Sequence, residues 1–461
     1  MNKYNTLYKR MTVFTAMLII VFSSHSYAAE QGLSFTQAIK IAQKNDPWLD
    51  GSRHKQKSIE ALSFVANTQL DPSVSVTFAS LPTDGFNFDQ ENMTQFKVGV
   101  SQMFGRGDSL EIRSKQLQLQ SQEQPFKRKD RENKVAVTVG SLWLDLYRVQ
   151  QSISLIETSR SLFEQLSQLA ESSYSSNLGG TRQVDIVRAQ LELTQLEDRL
   201  NQLKLEQNRY QGMLEQWLSH YRTTGSLSED LDTNNNTLIR LISSELPQLD
   251  LYRKEAIYDE KQLKPSQLAL ILARHPAVQA VDKNIEATRI GVNLAEQKYQ
   301  PQWGVNASYG YRADDSLGNS RADLFSIGVV FDLPLFTGNR QDKEVSSAIA
   351  NTEVIKTEKL LLIRQLISAF ASAKGQFFRI KERQTLYIER LLPQIQQQVQ
   401  ASLTAYTNNE GDFSEVVRGR IAELNAHIEF LTINTQEQKI ILEINYFLVD
   451  NAMKSDMSAK L

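Results

Sequence analysis

The side chains that could carry out chemistry are few in this sequence and lie far apart. The chain contains no Cys, which excludes disulfides, thiolate metal sites and a lipid-acylated N-terminal Cys. Gly105-Arg106-Gly107 follows a strand pattern, but two glycines do not make a phosphate-binding loop. His275 precedes Pro276, so we expect it to shape a helix start. The histidines beyond residue 28 show no i, i+4 pair that could bind a metal on one helix; they are His54, His220, His275 and His427.

Composition points away from an enzyme and from a nucleic-acid binder. No nucleophile elbow and no P-loop signature is recognisable, so we expect no catalytic residue, no metal and no cofactor. Lys and Arg number 51 against 53 Asp and Glu, a balance that excludes a broadly basic nucleic-acid-binding protein. A mean hydropathy of -0.38 excludes a helical membrane protein. The 461 residues would suffice for two or three ordinary domains.

The N-terminus has the composition of a cleaved secretory signal. Three basic residues among the first ten precede an apolar run from Met11 to Phe22, and the small-residue site Ser26-Tyr27-Ala28 follows. A membrane anchor is the alternative, but a span needs about 20 apolar residues. We therefore expect residues 1–28 to be removed, which takes three positive charges from a chain whose formal net charge is -2.

The rest of the chain repeats itself. Pro47 and Pro276 lie 229 residues apart, and so do Pro72 and Pro301. Further matches occur in the same order; they are Lys97-Val98-Gly99-Val100 with Ser326-Ile327-Gly328-Val329, Tyr174 with Tyr406, Gly179 with Gly411, and Val184-Asp185-Ile186-Val187-Arg188 with Ser414-Glu415-Val416-Val417-Arg418.

The sequence of each half predicts short helices, two strands and two long helices. Ser34 is an expected N-cap, and Pro47 should open a helix that runs to about Leu70, before Pro72. The strands alternate apolar and polar residues over about nine to eleven positions, the length of a membrane-spanning β-strand. The expected organisation is a signal peptide at 1–28, a first repeat at 29–218 (hairpin 73–104, helices 108–174 and 182–218), a linker at 219–265, a second repeat at 266–450 (hairpin 302–333, helices 340–406 and 412–450) and a tail at 451–461.

The long helices carry heptad patterns, which predict antiparallel coiled coils. The run from Phe126 to Tyr174 alone would be roughly 70 Å long at about 1.5 Å per residue. Such helices cannot form one compact globule, so they must pack side by side. Polar, Gly-containing stretches at 175–181 and 407–412 are the expected turns.

Four strands with one face in lipid must close, but membrane barrels start at about eight strands. Several chains must therefore contribute strands to one barrel. The aromatic residues Trp303, Tyr309, Tyr311 and Phe331 are candidates for the membrane interfaces. A small soluble four-stranded sheet is the alternative.

The signal, the Pro-to-Pro spacing, the paired hairpins and the two Tyr-to-Gly turns resemble the TolC family of outer-membrane channel-tunnels over nearly all of the mature chain. The resemblance implies a mainly α fold with a membrane β-barrel portion, in which a homotrimer forms a 12-stranded barrel in outer-membrane lipid and an α-helical tunnel in the periplasm of a Gram-negative bacterium. It also implies a passive exit duct of a tripartite efflux system, docked to a periplasmic adaptor (membrane fusion protein) and an inner-membrane RND or ABC transporter.

The resemblance further assigns roles near the helix turns. Asp185 and Glu415 match family positions that contribute to a periplasmic constriction, where carboxylate rings could select cations. Arg418 stands where relatives often place a second acid, and it could instead pair with Glu415 at i, i+3. The alternative is that Asp185 and Glu415 are ordinary solvated charges near a helix turn. The tips that would meet the adaptor are Asn177, Gly179, Gly180, Asn409 and Gly411, and glycine there would permit close approach and positive φ.

The segments 89–104 and 333–340 also resemble the branch of the family that includes CusC and CzcC, which implies heavy-metal cations as substrates. The missing N-terminal Cys departs from some members of that branch, and Met93 and Met103 are scattered. The sequence does not identify the substrate, and drugs are the alternative to heavy-metal cations. A type I secretion duct for polypeptides and a soluble periplasmic coiled-coil scaffold are the other readings.

Overall fold

A computed structural model describes residues 32–175, 183–219, 242–258, 265–408 and 410–449. The expected signal at 1–28, the tail at 451–461 and His220 lie outside the described residues. Most of the described chain is helical. In chain order the elements are α1 Phe35–Asn45, α2 Pro47–Ala66, β1 Ser73–Ala79, β2 Gln95–Met103, α3 Ser109–Ser175, α4 Gln183–Leu218, α5 Lys254–Tyr258, α6 Pro265–Leu272, α7 Pro276–Glu296, a 3₁₀ turn at Gln297–Tyr299, β3 Trp303–Tyr311, β4 Leu324–Phe331, α8 Gln341–Leu386, a π turn at Tyr387–Leu391, α9 Leu392–Thr407 and α10 Phe413–Leu448.

The repeated Pro47 and Pro276 begin equivalent helices. Each proline occupies the first turn, where its missing N–H costs nothing, and the residue before it is the N-cap. Asp46 accepts a hydrogen bond from the Trp48 amide, and His275 accepts one from the Ala277 amide. The same local chemistry therefore starts the second helix of the first half and its counterpart in the second half.

The four strands form one antiparallel sheet in the order β1-β2-β3-β4. In the centre of the sheet, β2 of the first half pairs with β3 of the second half, with Lys97 opposite Gly310. β1 has 7 residues and β4 has 8, so the expected length of nine to eleven residues was wrong for both of these strands. α2 also ends at Ala66 rather than near Leu70, since the Asn67 amide closes the last turn on Phe64 and Val65.

Antiparallel pairs of long helices make up the body of the molecule. α3 spans 67 residues and packs against α4, and α9 packs against α10. Three apolar clusters fill the space between the helices. α10 contributes to all of them, through Leu442 in the first, Ile444 in the second and Phe413 in the third. One helix thus connects the two repeats along their length.

The described part of the predicted linker, residues 242–258, is packed rather than free. Ile242 forms a β-bridge with Leu33, and Leu251 is buried. Side chains of α10 hold this segment, because Gln438 accepts from the Leu249 amide at 2.8 Å and Asn445 accepts from the Tyr252 amide at 2.7 Å. The segment therefore links the first and second apolar clusters.

A single π turn, Tyr387–Leu391, separates α8 from α9. Pro393 follows it in the first turn of α9, and a proline cannot donate the amide hydrogen bond that a continuous α-helix needs at that position. One helix over 340–406 was expected from the sequence. The structure corrects this to two helices joined by the π turn.

None of the helices that the structure describes is both long enough and apolar enough to cross a membrane.

Candidate functional site

One face of the sheet is apolar and uncovered. The strand register places Val74 opposite Val100, and Val76 opposite Val98, on this face. Phe325, Ile327 and Val329 lie on the same face and are 71%, 72% and 61% exposed. Apolar patches of this kind are rare on soluble monomers and are typical of the lipid-facing side of membrane barrels. We call this surface the apolar face.

Aromatic rings lie at both ends of the apolar face. At the loop end Phe78 contacts Phe96, with ring centroids 5.2 Å apart, and Phe88 stacks on Tyr311 at 6.3 Å. At the helix end the ring centroids of Trp303 and Phe331 are 4.7 Å apart. Aromatic side chains concentrate where a membrane surface meets water. The two groups lie at opposite ends of the strands, where the surfaces of a membrane would lie if lipid covered the apolar face.

The opposite face consists mostly of small and polar residues, with Met103, Leu324 and Val330 as its larger apolar members. Ser75, Gly99 and Ser308 lie side by side across three strands, and Ser101 lies opposite Asn306 on two of them. Neighbouring polar side chains fill the space above the glycines: a Cβ at Gly310 would lie 2.0 Å from Gln95 Oε1, and one at Gly328 would lie 2.7 Å from Asn306 Oδ1. This face, which we call the polar face, suits a water-filled lumen.

The outer edges of β1 and β4 are unpaired within the described chain. Unpaired backbone groups are not tolerated in hydrocarbon, so an open sheet with a lipid-facing surface needs strands from other chains. At the ends away from the helices, the two hairpin loops contact each other. Arg312 donates to the carbonyl of Asn92 at 3.2 Å, and Arg321 donates to the carbonyl of Glu91 at 3.3 Å. These contacts fix the two hairpins of one chain relative to each other.

An ion pair joins the two repeats where the sheet meets the helices. Arg106 donates to both carboxylate oxygens of Asp332, and also to the Gln300 carbonyl at 3.0 Å. The hydrogen bonds from Arg106 and from the Gln302 amide hold the pKa of Asp332 below its usual value. Gly107 has φ +44°, and a Cβ there would lie 2.4 Å from Gln297 Oε1. The Gly105-Arg106-Gly107 segment therefore has a structural role at this junction.

Asp185 and Glu415 lie in the first turns of α4 and α10. The third apolar cluster, which contains Ala189 and Val417, brings these two helix starts to the same end of the molecule. Asp185 is buried, with 8% of its surface exposed, whereas Glu415 is half exposed and forms an ion pair of 2.7 Å with Arg418. The two carboxylates of one chain therefore differ in their access to solvent, and the ion pair considered from the sequence is present.

Of the five candidate tip residues, only Gly411 belongs to the described residues; Asn177, Gly179, Gly180 and Asn409 lie outside them. Gly411 does not have a positive φ, so the turn does not use that freedom of glycine. A Cβ at Gly411 would lie 2.8 Å from Ala405 Cβ and 3.0 Å from the backbone of Ala405. Glycine is therefore required where the backbone at position 411 approaches Ala405. The rings of Tyr406 and Phe413 pack against each other across the turn, with centroids 5.5 Å apart.

His275 is fully buried and holds a turn, as expected from its place before Pro276. Its Nδ1 accepts from the Ala277 amide, which leaves Nε2 to donate to the Tyr446 carbonyl at 3.1 Å. Burial lowers the pKa of His275, and the Asp130 carboxylate offsets part of that shift. The Tyr446 hydroxyl donates to Asp130 at 2.9 Å. Among the described residues, no group of three or more His, Asp and Glu side chains is placed to hold a metal ion.

The comparisons with known proteins rest on solved structures, since no family model and no curated protein matches this sequence. CusC, described for its transmembrane channel formation, has a TM-score of 0.68 and 13% identity, over 90% of this chain and 92% of that chain. The outer-membrane protein VceC of Vibrio cholerae has a TM-score of 0.68 and 14% identity, over 90% and 96%. The outer-membrane channel CmeC of Campylobacter jejuni has a TM-score of 0.68 and 12% identity, over 92% and 88%.

The chain has the TolC-type channel-tunnel fold. The predicted fold class is thereby confirmed, with four antiparallel strands and long paired helices in each chain. The channel-tunnel fold also explains why both faces of the sheet are exposed in one chain, because lipid would cover one face and the lumen would border the other. CusC, VceC and CmeC share the same TM-score, so the likeness does not favour the CusC and CzcC branch over the others.

Lys97 is a candidate functional residue that was not predicted from the sequence. It lies in β2 on the polar face, between Thr77 of β1 and Gly310 of β3. The alternation of Phe96, Val98 and Val100 with Gln95, Lys97 and Gly99 already placed Lys97 on the polar side. The charged residues predicted to have a role, Asp185, Glu415 and Arg418, all lie near the helix turns rather than in the sheet.

Proposed function

We propose that this protein is the outer-membrane exit duct of a tripartite efflux system. Three copies would pool their four-stranded sheets into a 12-stranded barrel in the outer membrane, and the long helices would form a tunnel into the periplasm. The duct would be passive and would bind no cofactor. Energy would come from an inner-membrane pump of the RND type, and a periplasmic adaptor would join the two.

The observation that carries the proposal is the sheet. It has an apolar, exposed face flanked by aromatic rings, a mostly small and polar opposite face, and two edges that have no partner strand among the described residues. A soluble scaffold would have no reason to expose Val74, Phe325 and Ile327, because water contact with apolar side chains is unfavourable. Closure with other copies would satisfy the edges and place the apolar face in lipid.

The helices support the tunnel. α3 alone has 67 residues, about 100 Å at 1.5 Å per residue, too long for the interior of a compact domain. Exposed apolar residues remain along the long helices of a single chain, including Val354, Leu360 and Leu361 on α8. Packing against neighbouring copies would cover such residues, as in other coiled-coil bundles.

We propose that Asp185, Glu415 and Arg418 act near the periplasmic end of the duct. Threefold symmetry would repeat each residue around the tunnel axis. Because Glu415 and Arg418 are half exposed and paired, their charges compensate each other. We propose further that the helix tips, with Gly411 and the remaining candidates of the sequence analysis, contact the adaptor. Opening would separate the α9–α10 pair from its neighbours.

The test is reconstitution of the full-length protein, extracted in detergent from isolated outer membranes, into planar lipid bilayers. The proposal predicts discrete conductance steps, and deletion of the encoding gene should raise cellular sensitivity to exported compounds. Recovery of the protein only from the soluble periplasm, with no conductance after reconstitution, would favour the soluble coiled-coil scaffold. Sensitivity to drugs, sensitivity to metal cations and loss of a secreted polypeptide would distinguish the three substrate classes.

A further inference from the structure

Lys97 is the only charged residue on the polar face of the described strands. The polar face consists of the residues that alternate with the apolar face in β1 to β4; they are Ser73, Ser75, Thr77, Ala79, Gln95, Lys97, Gly99, Ser101, Met103, Gly304, Asn306, Ser308, Gly310, Leu324, Ser326, Gly328 and Val330. No Asp or Glu is among them. A cation therefore stands alone in an otherwise uncharged surface.

The position of Lys97 is fixed by backbone pairing on both sides. It is opposite Thr77 in β1 and opposite Gly310 in β3, in the middle of continuous ladders. A register slip of one residue would move Lys97 to the apolar face and Phe96 and Val98 to the polar face, which the exposed valine and phenylalanine pattern opposes. Lys97 is the third residue of β2 and lies close to the loop end of the sheet.

The charge of Lys97 is not neutralised locally. The side chain is partly buried, and none of the ion pairs among the described residues includes it. Two of the loop carboxylates, Asp323 and Asp84, have other partners. The Asp323 carboxylate accepts from the Tyr309 hydroxyl and the Arg312 amide, and Asp84 accepts from the Gln90 side chain. The ammonium group is thus available to ions in the lumen.

We propose that Lys97 is a specificity-determining residue of the barrel lumen, where it makes the outer mouth favour anions over cations. This inference rests on the proposed function, because only a closed barrel gives the polar face a lumen. In a threefold assembly the three copies of Lys97 form one ring of positive charge near the outer mouth. A ring of lysines in a pore selects for anions and raises the barrier for cations.

The ring has a consequence for the substrate class. Divalent metal cations would leave the duct against three positive charges, whereas anionic or neutral organic molecules would meet no such barrier. The small residues around Lys97, including Gly99, Ser101 and Ser308, leave room beside the ammonium groups for a molecule larger than a simple ion. The proposed substrate class at this mouth is therefore anionic or neutral organic molecules, rather than heavy-metal cations.

The experiment measures the chloride-to-potassium permeability ratio of the full-length protein in planar bilayers. The ratio is taken from reversal potentials in a KCl gradient below 0.1 M, where screening is weak. Relative to the wild type, Lys97→Gln should lower the ratio about twofold, and Lys97→Glu should lower it about fourfold. Lys97→Arg keeps the charge and should keep the wild-type ratio. Ser101→Lys, four residues along on the same face, should restore the ratio in the Lys97→Gln background.

The outcomes separate the two claims. Wild-type ratios in both Lys97→Gln and Lys97→Glu channels of normal conductance would overturn the role of Lys97 and leave the duct standing. A wild-type protein that forms no channel would overturn the proposed function itself. A lowered ratio in Lys97→Arg as well would show that the effect comes from altered packing of the strand rather than from charge, and would also contradict the proposal.

Discussion

The charges at the candidate gate can be unbalanced in either direction by single substitutions. Glu415 and Arg418 form an ion pair of 2.7 Å on α10, and their side chains are 52% and 64% exposed. Glu415→Gln leaves an unpaired arginine in each copy, and Arg418→Gln leaves an unpaired carboxylate. In a trimer these changes amount to three added positive or three added negative charges at one level of the tunnel. The two variants should therefore shift ion block in opposite directions.

The structure sets the scale of both effects. An exposed pair of this kind contributes about 0–1 kcal/mol to stability, so neither variant should unfold the protein. For a divalent cation about 10 Å away, one unit charge in water contributes about 0.8 kcal/mol, and three contribute about 2.5 kcal/mol. Screening over one Debye length at 0.1 M salt reduces this to about 0.9 kcal/mol, roughly a fivefold change in apparent affinity. At 1 M salt the difference should vanish.

The assay is block of single-channel current by Mg²⁺ added on the side of the helix tips. Arg418→Gln should strengthen block about fivefold at 0.1 M salt, and Glu415→Gln should weaken it by a similar factor. The double variant Glu415→Gln, Arg418→Gln is the matched control and should behave as the wild type. Shifts in the same direction, or equal block in all four proteins with conductance intact, would refute the placement of this pair at the tunnel axis.

Three further predictions concern stability. Trp143 is fully buried, so Trp143→Ala should lower the free energy of unfolding by about 3–5 kcal/mol and Trp143→Phe by clearly less, as measured by thermal unfolding in detergent. Equal losses in the two variants would contradict the tight packing of this side chain. The pKa of His275 is lowered in the folded protein, so the neutral imidazole contributes to stability. This contribution is fully present above about pH 6.5, the usual pKa of a histidine, and is lost as the pH falls from there towards the folded-state pKa. His275→Asn keeps an acceptor for the Ala277 amide, and Tm should fall less with decreasing pH in this variant than in the wild type. An unchanged dependence of Tm on pH would show that His275 is not its source. Gly411→Ala forces a contact with Ala405 and should cost about 1–3 kcal/mol, with increased proteolysis at the tip, whereas the open position Gly375→Ala should be tolerated.

The sequence predicted the architecture well because short local patterns determine where its helices begin and where its strands lie. Proline at equivalent positions, such as Pro47 and Pro276, starts equivalent helices, and period-two alternation identified all four strands. Heptad spacing predicted the long helix pairs. Strand length was overestimated for β1 and β4, because the end of a strand depends on its pairing with a neighbour, and no single segment encodes that.

The site was less predictable because its geometry depends on contacts between distant segments. The π turn at Tyr387–Leu391 was missed, although Pro393 was a local signal for it. The Arg106 to Asp332 pair joins the two repeats across 226 positions, and no local pattern indicates such a partner. Lys97 could have been found from strand alternation, but its isolation becomes visible only when all four strands are paired.

The central claim is that four strands per chain are pooled into one barrel, and the native mass of the protein extracted from purified outer membranes in mild detergent tests it most directly. The chain has a mass of 52.5 kDa before any processing. The account predicts a complex of three chains after the detergent contribution is subtracted. A monomer, or recovery of the protein only in the soluble periplasmic fraction, would contradict it.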